Sequence, residues 1–414
     1  MFALVDCNNF YASCERVFRP DWRKVPIAVL SNNDACIIAR SDEVKELGYK
    51  LGDSYFKLRK QLQRDGVIIR SSNYALYGDL SQRVMECLED LAPRVEVSSI
   101  DEAFLDLHGI QDLPAFGQKI ARTVRQWTSI PVSVGVAPTK TLAKLANHLG
   151  KKSSSGSNNV HIMEPPYPLD QITIENVWGV GRRLALRLRL MGIGTAQDLA
   201  DLDYMTARKK FSVVLERTVR ELRGESCIEI EELSPDPQHL MVSRGFKGKV
   251  TTKHQLREAV ATYTSRVAEK ARAKGVYAGA IQIFIRTSPF SKGPRYVNNA
   301  SWTFLTPCND NLSLVKAATK CLDVIWKDGY AYQKAGVLLT DLSTEQQRIT
   351  PLLEKVTHET TGELMRVLDR MNQRYGSETV RIASSGFERP WMMSREFLSP
   401  SYTTRWKDIP TVRA

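Results

Sequence analysis

Two apolar segments of this chain carry acids where a buried strand has no ordinary use for them. Phe2-Ala3-Leu4-Val5-Asp6 reads as a short apolar strand ending in a carboxylate. Residues 95–107 read as strand, tight turn, strand, and Asp101-Glu102 interrupts the run Ser99-Ile100-Asp101-Glu102-Ala103-Phe104-Leu105. Short apolar runs bounded by turn signals point to strands packed inside a sheet. A carboxylate there is costly unless it is paired, hydrogen-bonded or bound to a metal. Asp6, Asp101 and Glu102 on neighbouring strands would converge on one sheet edge. Such an oxygen-rich site suits Mg²⁺, which often completes its shell with substrate phosphates. Two such ions about 4 Å apart support in-line displacement at phosphorus. The same spacing also fits strand-end acids facing water.

The rest of the first half mixes short strands with helices. Helical spacing covers residues 10–17, and strands are expected at 26–30 and 36–39, separated by Ser31-Asn32-Asn33-Asp34. Ser41 is placed to cap a helix that runs to Leu47 and stops at Gly48. A strand at 67–70, helices at 77–91 and 116–128, a strand at 132–136 and a helix at 139–149 follow. Residues 151–159, rich in lysine, serine, glycine and asparagine, read as a flexible loop. From 169 to 232 the pattern is helical, and 231–238, with two prolines and several acids, reads as a linker. Residues 240–342 combine strands (281–286, 336–339) with helices (255–273, 312–326). Beyond 343 the pattern weakens, apart from a helix at 361–372, and 398–414 is polar. A chain of 414 residues organised in this way is an α+β multidomain protein.

Three further groups of residues bear on chemistry. In Cys7-Asn8-Asn9-Phe10-Tyr11, a helix starting directly after Asp6 would offer backbone N–H groups to a phosphate. Phe10 and Tyr11 would flank the sugar of a bound nucleotide, or else both belong to the core. The turns Trp178-Gly179-Val180-Gly181 and Met191-Gly192-Ile193-Gly194 join helices, as in a helix-hairpin-helix. Their glycines would let amides approach a DNA phosphate, with Arg182-Arg183 alongside; a plain helix–helix turn has the same pattern. The third group is cationic: Arg244, Lys247, Lys249 and Lys253, then Arg286, Lys292 and Arg295, which suit phosphate contacts or a solvated face. The net charge of +12 favours a polyanionic partner. Seven scattered cysteines without a Cys-x-x-Cys pair, and six histidines without a His-x-x-x-His pair, argue against a disulfide framework and against zinc. No run approaches the roughly 18 apolar residues of a membrane helix. The opening residues lack the basic and apolar regions of an export signal. A reducing, cytoplasmic setting without a membrane partner is therefore expected.

Taken together, these segments resemble the Y-family translesion DNA polymerases. Val5-Asp6-Cys7-Asn8-Asn9-Phe10-Tyr11-Ala12-Ser13-Cys14-Glu15 looks like the family's first catalytic motif, and Ser99-Ile100-Asp101-Glu102-Ala103-Phe104-Leu105-Asp106 like its second. Val134-Gly135-Val136-Ala137, with the lysine- and alanine-bearing stretch 140–147, resembles the helix that follows. Ser31-Asn32-Asn33-Asp34, Ser71-Ser72-Asn73-Tyr74, Thr287-Ser288-Pro289-Phe290 and residues 215–227, 332–339 and 398–405 look like the UmuC branch of that family. The resemblance runs nearly end to end.

The resemblance implies a right hand. Its palm would be residues 1–18 and 76–168, with small fingers at 19–75 and a helical thumb with helix-hairpin-helix turns at 169–232. A linker at 233–239, an α/β little finger at 240–345 and a C-terminal tail at 346–414 would follow. Asp6, Asp101 and Glu102 would hold two Mg²⁺ ions, together with the Cys7 carbonyl. Tyr11 would be the steric gate against a ribose 2′-OH, with Phe10 under the sugar, and Lys151 and Lys45 would bind the triphosphate. Asp42 stands where the family carries a tyrosine, an acid beside a triphosphate. Gly179, Gly181, Arg182, Arg244, Lys247 and Arg286 would contact primer-template DNA. The implied activity is error-prone, template-directed synthesis from dNTPs across damaged DNA in the bacterial SOS response, without proofreading. Implied partners are a processed UmuD-type dimer, RecA and a sliding clamp, with the chain cytoplasmic and nucleoid-associated. The expected clamp peptide, Gln346-Gln347-Arg348-Ile349-Thr350-Pro351-Leu352-Leu353, lacks the usual aromatic. A non-catalytic DNA-binding protein on the same fold, or a two-metal nuclease, would share some of these features. Neither accounts for both the acids and a sugar-facing Tyr11.

Overall fold

A computed structural model describes residues 1–153, 159–231, 236–291, 293–347 and 358–411. The chain divides into two compact units: Met1–Ser31, Ala35–Ser234 and Phe397–Ala414 form the first, and Asn32–Asp34 with Pro235–Glu396 the second. Among the described residues, no helix is long and apolar enough to cross a membrane.

The first unit opens with strand β1 (Phe2–Cys7), helix α1 (Phe10–Val17), strands β2 (Ile27–Leu30) and β3 (Ile37–Arg40), helices α2 (Asp42–Glu46) and α3 (Tyr55–Arg64), and strand β4 (Ile68–Ser71). Helix α4 (Tyr74–Glu89), strands β5 (Val95–Val97) and β6 (Glu102–Asp106), helix α5 (Leu113–Thr128), strand β7 (Val132–Ala137), helix α6 (Lys140–Ser153) and strand β8 (Val160–Ile162) follow. Four short helices, α7 (Arg182–Arg189), α8 (Ala196–Asp201), α9 (Tyr204–Lys210) and α10 (Val213–Leu222), complete its helical part.

One sheet runs in the order β5-β6-β1-β7-β8, with β1 antiparallel to both β6 and β7. It is buried on both faces, which is why β1 reads as a continuous apolar run. Ala3, Val5, Ala103 and Leu105 pack with Leu80 and Val84 of α4 and Ile120 and Val124 of α5. Leu4 and Phe104 pack on the other face with Leu142, Leu145 and Ala146 of α6. Gly135 permits the close approach of α6: a Cβ there would lie 2.3 Å from the Asn147 nitrogen. A second, three-stranded sheet, β3-β2-β4, is small and packs Ala28, Leu30 and Ile37 against Val44 and Leu62.

The second unit comprises β9 (Leu240–Val250), α11 (Lys253–Ala273), β10 (Val276–Thr287), β11 (Val297–Cys308), α12 (Asn311–Ile325), β12 (Tyr332–Thr344) and α13 (His358–Tyr375). Its sheet is antiparallel, in the order β11-β10-β12-β9. Ile281, Ile283, Ile285, Val337 and Leu339 face a core shared with α11 and α12. The described residues from 358 onward contribute to both units. Met365 and Trp391 are buried in the second, where Arg272 makes a paired ion bridge to Asp369 at 2.6 and 2.7 Å. Phe397 and the residues after it pack in the first.

Several local expectations change. Lys151 lies on α6, not in a loop, because the helix continues to Ser153. Helix α4 starts at Tyr74, since the Asn73 side chain accepts the Leu76 N–H and caps it. The Ser41 hydroxyl accepts the Ile27 N–H at 3.0 Å rather than capping α2. Strands β9 and β11 were hidden by polar residues on exposed positions. Part of the expected linker (232–235), most of the expected clamp peptide (348–353) and Lys292 lie outside the described residues.

Candidate active site

Register alone brings the three acids together. Asp6 of β1 pairs opposite Glu102 of β6, and the Cys7 N–H donates to the Asp101 carbonyl at 2.8 Å. Alternation turns Asp6 and Glu102 to the face of Leu4 and Phe104, over which α6 lies. Two lysines of that helix answer them. Lys151 Nζ pairs with Asp6 Oδ1, and Lys144 Nζ donates to Glu102 Oε2 at 2.6 Å. Asp101 Oδ1 accepts the Ser99 hydroxyl at 2.6 Å.

Burial pushes the Asp6 carboxyl up to about 6; Lys151 opposes that rise, and the Glu102 and Asp101 charges add to it. The three acids thus lie within electrostatic reach of one another. Among the described residues, no three His, Cys, Asp or Glu side chains are gathered closely enough to form a metal site as they stand, since each acid is turned to its own cation or hydroxyl. The donor set nonetheless fits a hard divalent cation: clustered carboxylates, one of them costly to ionise without added positive charge. Burial, with the Asp6 and Asp101 charges, pushes the Cys7 thiol far up, so its sulfur stays protonated and is a poor metal ligand.

Helix α1 starts immediately beyond this edge. The Cys7 and Asn8 amides are already used, by the Asp101 and Pro131 carbonyls, so the amides open to an anion begin no earlier than Asn9. Phe10 is buried in the core beneath the sheet. Tyr11 is only partly covered; it stacks on Tyr77 with centroids 4.4 Å apart and meets Tyr74 edge-on at 6.0 Å. A cleft of about 390 Å³ is lined by Asp6, Cys7, Tyr11, Lys45, Asp101 and Lys151, with Phe10 contributing to its wall. An adjoining cleft of about 250 Å³ shares Asn9, Lys45 and Lys151 and adds Asn8, Asp42 and Ser133. Asp42 is held by Lys45 Nζ at 2.7 Å and by the Asn9 amide at 2.9 Å, and these contacts keep its carboxyl below the ordinary aspartate range against the effect of burial.

The structure therefore gathers Asp6, Cys7, Asp101, Phe10, Tyr11, Lys45 and Lys151 around one cleft, with Glu102 beside it on the same sheet edge. Sequence reasoning missed Arg40, which lines the cleft from β3, and the pairing of Lys144 with Glu102. The helical spacing of Lys140, Lys144 and Lys151 was the available signal.

The remaining candidates are more dispersed. Gly179 adopts φ +83, and an added Cβ at Gly179 or Gly181 would meet no atom within 4 Å, so the backbone there is open; Gly181 is the N-cap of α7, and Arg182 is exposed. In the second unit Arg286 lies opposite Lys334 on the sheet face away from α11 and α12. Arg244 has the strand parity of Val242 and Phe246, on the helix-covered side, and its charge reaches Tyr263 and Lys270 of α11. Lys247 is exposed and lies 3.8 Å from Glu396. Lys334 was not singled out from sequence; its cross-strand position beside Arg286 is a tertiary fact.

Comparison with known proteins decides the family. Residues 5–148 match a model described as the impB/mucB/samB family, and residues 237–352 match its C-terminal domain. Protein UmuC of Salmonella typhimurium is 48% identical over 422 residues, covering 100% of both chains. The chain belongs to the impB/mucB/samB family. Protein SamB of Salmonella typhimurium is 46% identical over 100% of both chains, and Protein MucB of Escherichia coli is 43% identical over 99% of both. DNA polymerase IV of Moorella thermoacetica is 28% identical, covering 92% of this chain and 95% of its own. Among solved structures, a Y-family DNA polymerase chimera of Dbh and Dpo4 superposes with a TM-score of 0.67 at 21% identity, covering 83% of this chain and 100% of its own. An insertion ternary complex of Dbh DNA polymerase gives a TM-score of 0.55 at 20% identity, with the same coverage. The fold of this impB/mucB/samB family member is that of the Y-family polymerases, and the chain is a translesion DNA polymerase of the UmuC type. Residues 363–412 also match a domain of unknown function, DUF4113.

Proposed function

We propose that this chain inserts nucleotides opposite damaged template bases in the bacterial SOS response, and that the β1–β6 edge is its catalytic centre. The observation that carries the site assignment is the register that sets Asp6 opposite Glu102 and ties Cys7 to Asp101, with Asp6, Cys7 and Asp101 lining a cleft together with Tyr11, Lys45 and Lys151 and Glu102 beside it. In this reading Asp6, Asp101, Glu102 and the Cys7 carbonyl hold two Mg²⁺ ions. Bound there, the ions would offset the charge on the triphosphate and ease loss of the primer 3′-OH proton to solvent. The 3′ oxygen bonds to the α-phosphorus, the bond to the bridging oxygen breaks, and pyrophosphate leaves. Lys151 exchanges Asp6 for the triphosphate, joined by Lys45. Tyr11 presents its ring to the sugar and excludes a 2′-OH, with Phe10 as the fixed base beneath.

The palm comprises residues 1–18 and 76–168, the fingers 19–75, the thumb 169–232 and the little finger 240–345. Gly179, Gly181 and Arg182 contact DNA phosphates in the thumb, and Arg244, Lys247 and Arg286 do so in the little finger. The chain acts in the cytoplasm at the nucleoid, with a processed UmuD-type dimer, RecA and a sliding clamp. Primer extension on undamaged and abasic templates, with Mg²⁺ and dNTPs and with or without the processed UmuD-type dimer and RecA filaments, tests the reading. Insertion opposite the abasic site is expected; none with every partner present would contradict it.

A further inference from the structure

The last residues of the chain return to the first unit at one particular place. Phe397 and Ser71, at the end of β4, exchange two hydrogen bonds: the Ser71 N–H donates to the Phe397 carbonyl at 3.1 Å, and the Phe397 N–H to the Ser71 hydroxyl at 3.0 Å. Tyr402 stacks on Phe18, just past α1, with centroids 4.6 Å apart. Between these anchors Ser399 is buried. Its hydroxyl accepts the Asn73 amide at 2.9 Å and donates to Glu15 Oε1 at 3.1 Å.

Glu15 is the next residue but three after Tyr11 on α1 and is 1% exposed; the cation of that helix, Arg16, pairs with Glu43 instead, at 2.7 Å. Oε1 also accepts the Tyr77 hydroxyl at 2.7 Å. Oε2 has no hydrogen-bond partner, with Arg70 Nε 3.9 Å away. Ser399 thus supplies one of two hydrogen bonds to a buried carboxylate, and Tyr77 supplies the other. The Tyr77 ring is the one on which Tyr11 stacks, at 4.4 Å and an interplanar angle of 15°. Asn73, the other partner of Ser399, caps the helix that carries Tyr74 and Tyr77, the two rings framing Tyr11.

We propose that the C-terminal strap of residues 397–402 is a positioning element of the sugar gate: Ser399, through Glu15 and Asn73, fixes Tyr77 and hence the plane of Tyr11. This rests on the reading of Tyr11 as the residue facing the sugar. The strap makes no contact with the nucleotide in this scheme. A buried carboxylate that loses one of two hydrogen bonds turns toward another partner, the Tyr77 hydroxyl follows it, and the face offered to Tyr11 tilts. Selectivity against a 2′-OH depends on sub-ångström ring placement, so it responds before the chemical step does. Residues 397–402, within the match to the domain of unknown function, thereby acquire a role in substrate choice.

The test uses the full chain in the assay where the wild type extends primers, measuring kcat and KM for one dNTP and its matching rNTP, together with the thermal midpoint. Tyr11→Ala is expected to relax sugar selectivity about 10²-fold, the scale on which a pocket rejects an added hydroxyl. Ser399→Ala and Tyr77→Phe, each removing one hydroxyl, are expected to relax it about three- to tenfold, the size of one coupling inside a hydrogen-bond network. In both, kcat for the dNTP stays within about twofold of wild type. Ser399→Ala added to Tyr11→Ala changes selectivity no further, because the gate it positions is gone. Unchanged selectivity in Tyr11→Ala would remove the gate reading itself, and the strap's role with it. Relaxation in Tyr11→Ala with none in either Ser399→Ala or Tyr77→Phe would overturn the strap alone. So would an equal loss for both sugars, or an effect of Ser399→Ala that persists in the Tyr11→Ala background.

Discussion

The sheet built around β1 and the sheet built around β10 place their charges under opposite constraints. In the first, Asp6 and Glu102 share a buried face with Leu4 and Phe104, and each takes a lysine from α6. In the second, Arg286 and Lys334 stand opposite each other on the face that α11 and α12 leave uncovered, Arg286 exposed and Lys334 half-buried, its pKa lowered by burial and by the Arg286 and Arg244 charges. Buried acids break the strand pattern and raise the cost of folding, so chemistry accounts for them better than stability does. Cations on an uncovered sheet face break no apolar pattern; they become a site only through what their neighbours in space add. On the proposed reading one sheet is a place for reaction and the other a surface for grip, so substitutions in them should fail in different ways.

The largest expected effect lies in the first sheet. Asp6→Ala and Glu102→Ala should each lower kcat for nucleotide insertion by about 10³-fold or more, and the double variant little further, because residues acting as one unit are not additive. Independent, multiplying losses would mean that the two acids serve separate tasks. Next comes a stability effect of the opposite sign. Asp6 titrates at about 6 in the fold against an ordinary 3.8, so the native state binds the extra proton between those values. The ionised carboxylate therefore costs stability, a cost absent below about 3.8, growing as pH rises and complete above about 6. In metal-free buffer, Asp6→Asn should be more stable than the wild type by about 1–3 kcal/mol at high pH, with the gain vanishing in acid. Chemical denaturation across pH measures this; a variant less stable at high pH would show that the Lys151 pair outweighs burial.

The second sheet should respond more mildly. Arg286→Ala and Lys334→Ala should each weaken primer-template binding a few-fold and reduce the salt slope by about one, whatever the template sequence. Fluorescence anisotropy over a salt series reads both. A loss confined to one sequence, or a salt slope unchanged, would argue against phosphate contact at that face.

The contrast also explains what could be read from the residues in order. The carboxylates were legible because Asp6, Asp101 and Glu102 violate an apolar pattern, and the motif around Tyr11 was legible through its order and spacing. Strand β1 and helix α1 were placed to within a residue for the same reason. Strand β11 was not, since its run from Val297 to Cys308 carries polar side chains on its exposed positions. Lys334 gains its meaning from β10, and Ser399 from Glu15, residues far away in sequence. Lys151 was placed in a loop because lysine, serine and glycine dominate the stretch after it; the helix reaches it because its lysines find Asp6 and Glu102 beneath.

The central claim is that three carboxylates on one sheet edge form a single metal-dependent catalytic centre, separate from the surface that holds DNA. Single-nucleotide insertion as a function of Mg²⁺, measured for the wild type beside Asp101→Ala at matched occupancy of primer-template, tests it most directly. The account predicts Mg²⁺-dependent insertion by the wild type, its loss in the variant at every Mg²⁺ concentration, and primer-template affinity within about twofold of wild type in both. Insertion by Asp101→Ala at the wild-type rate, or a variant that fails only because it no longer binds DNA, would contradict it.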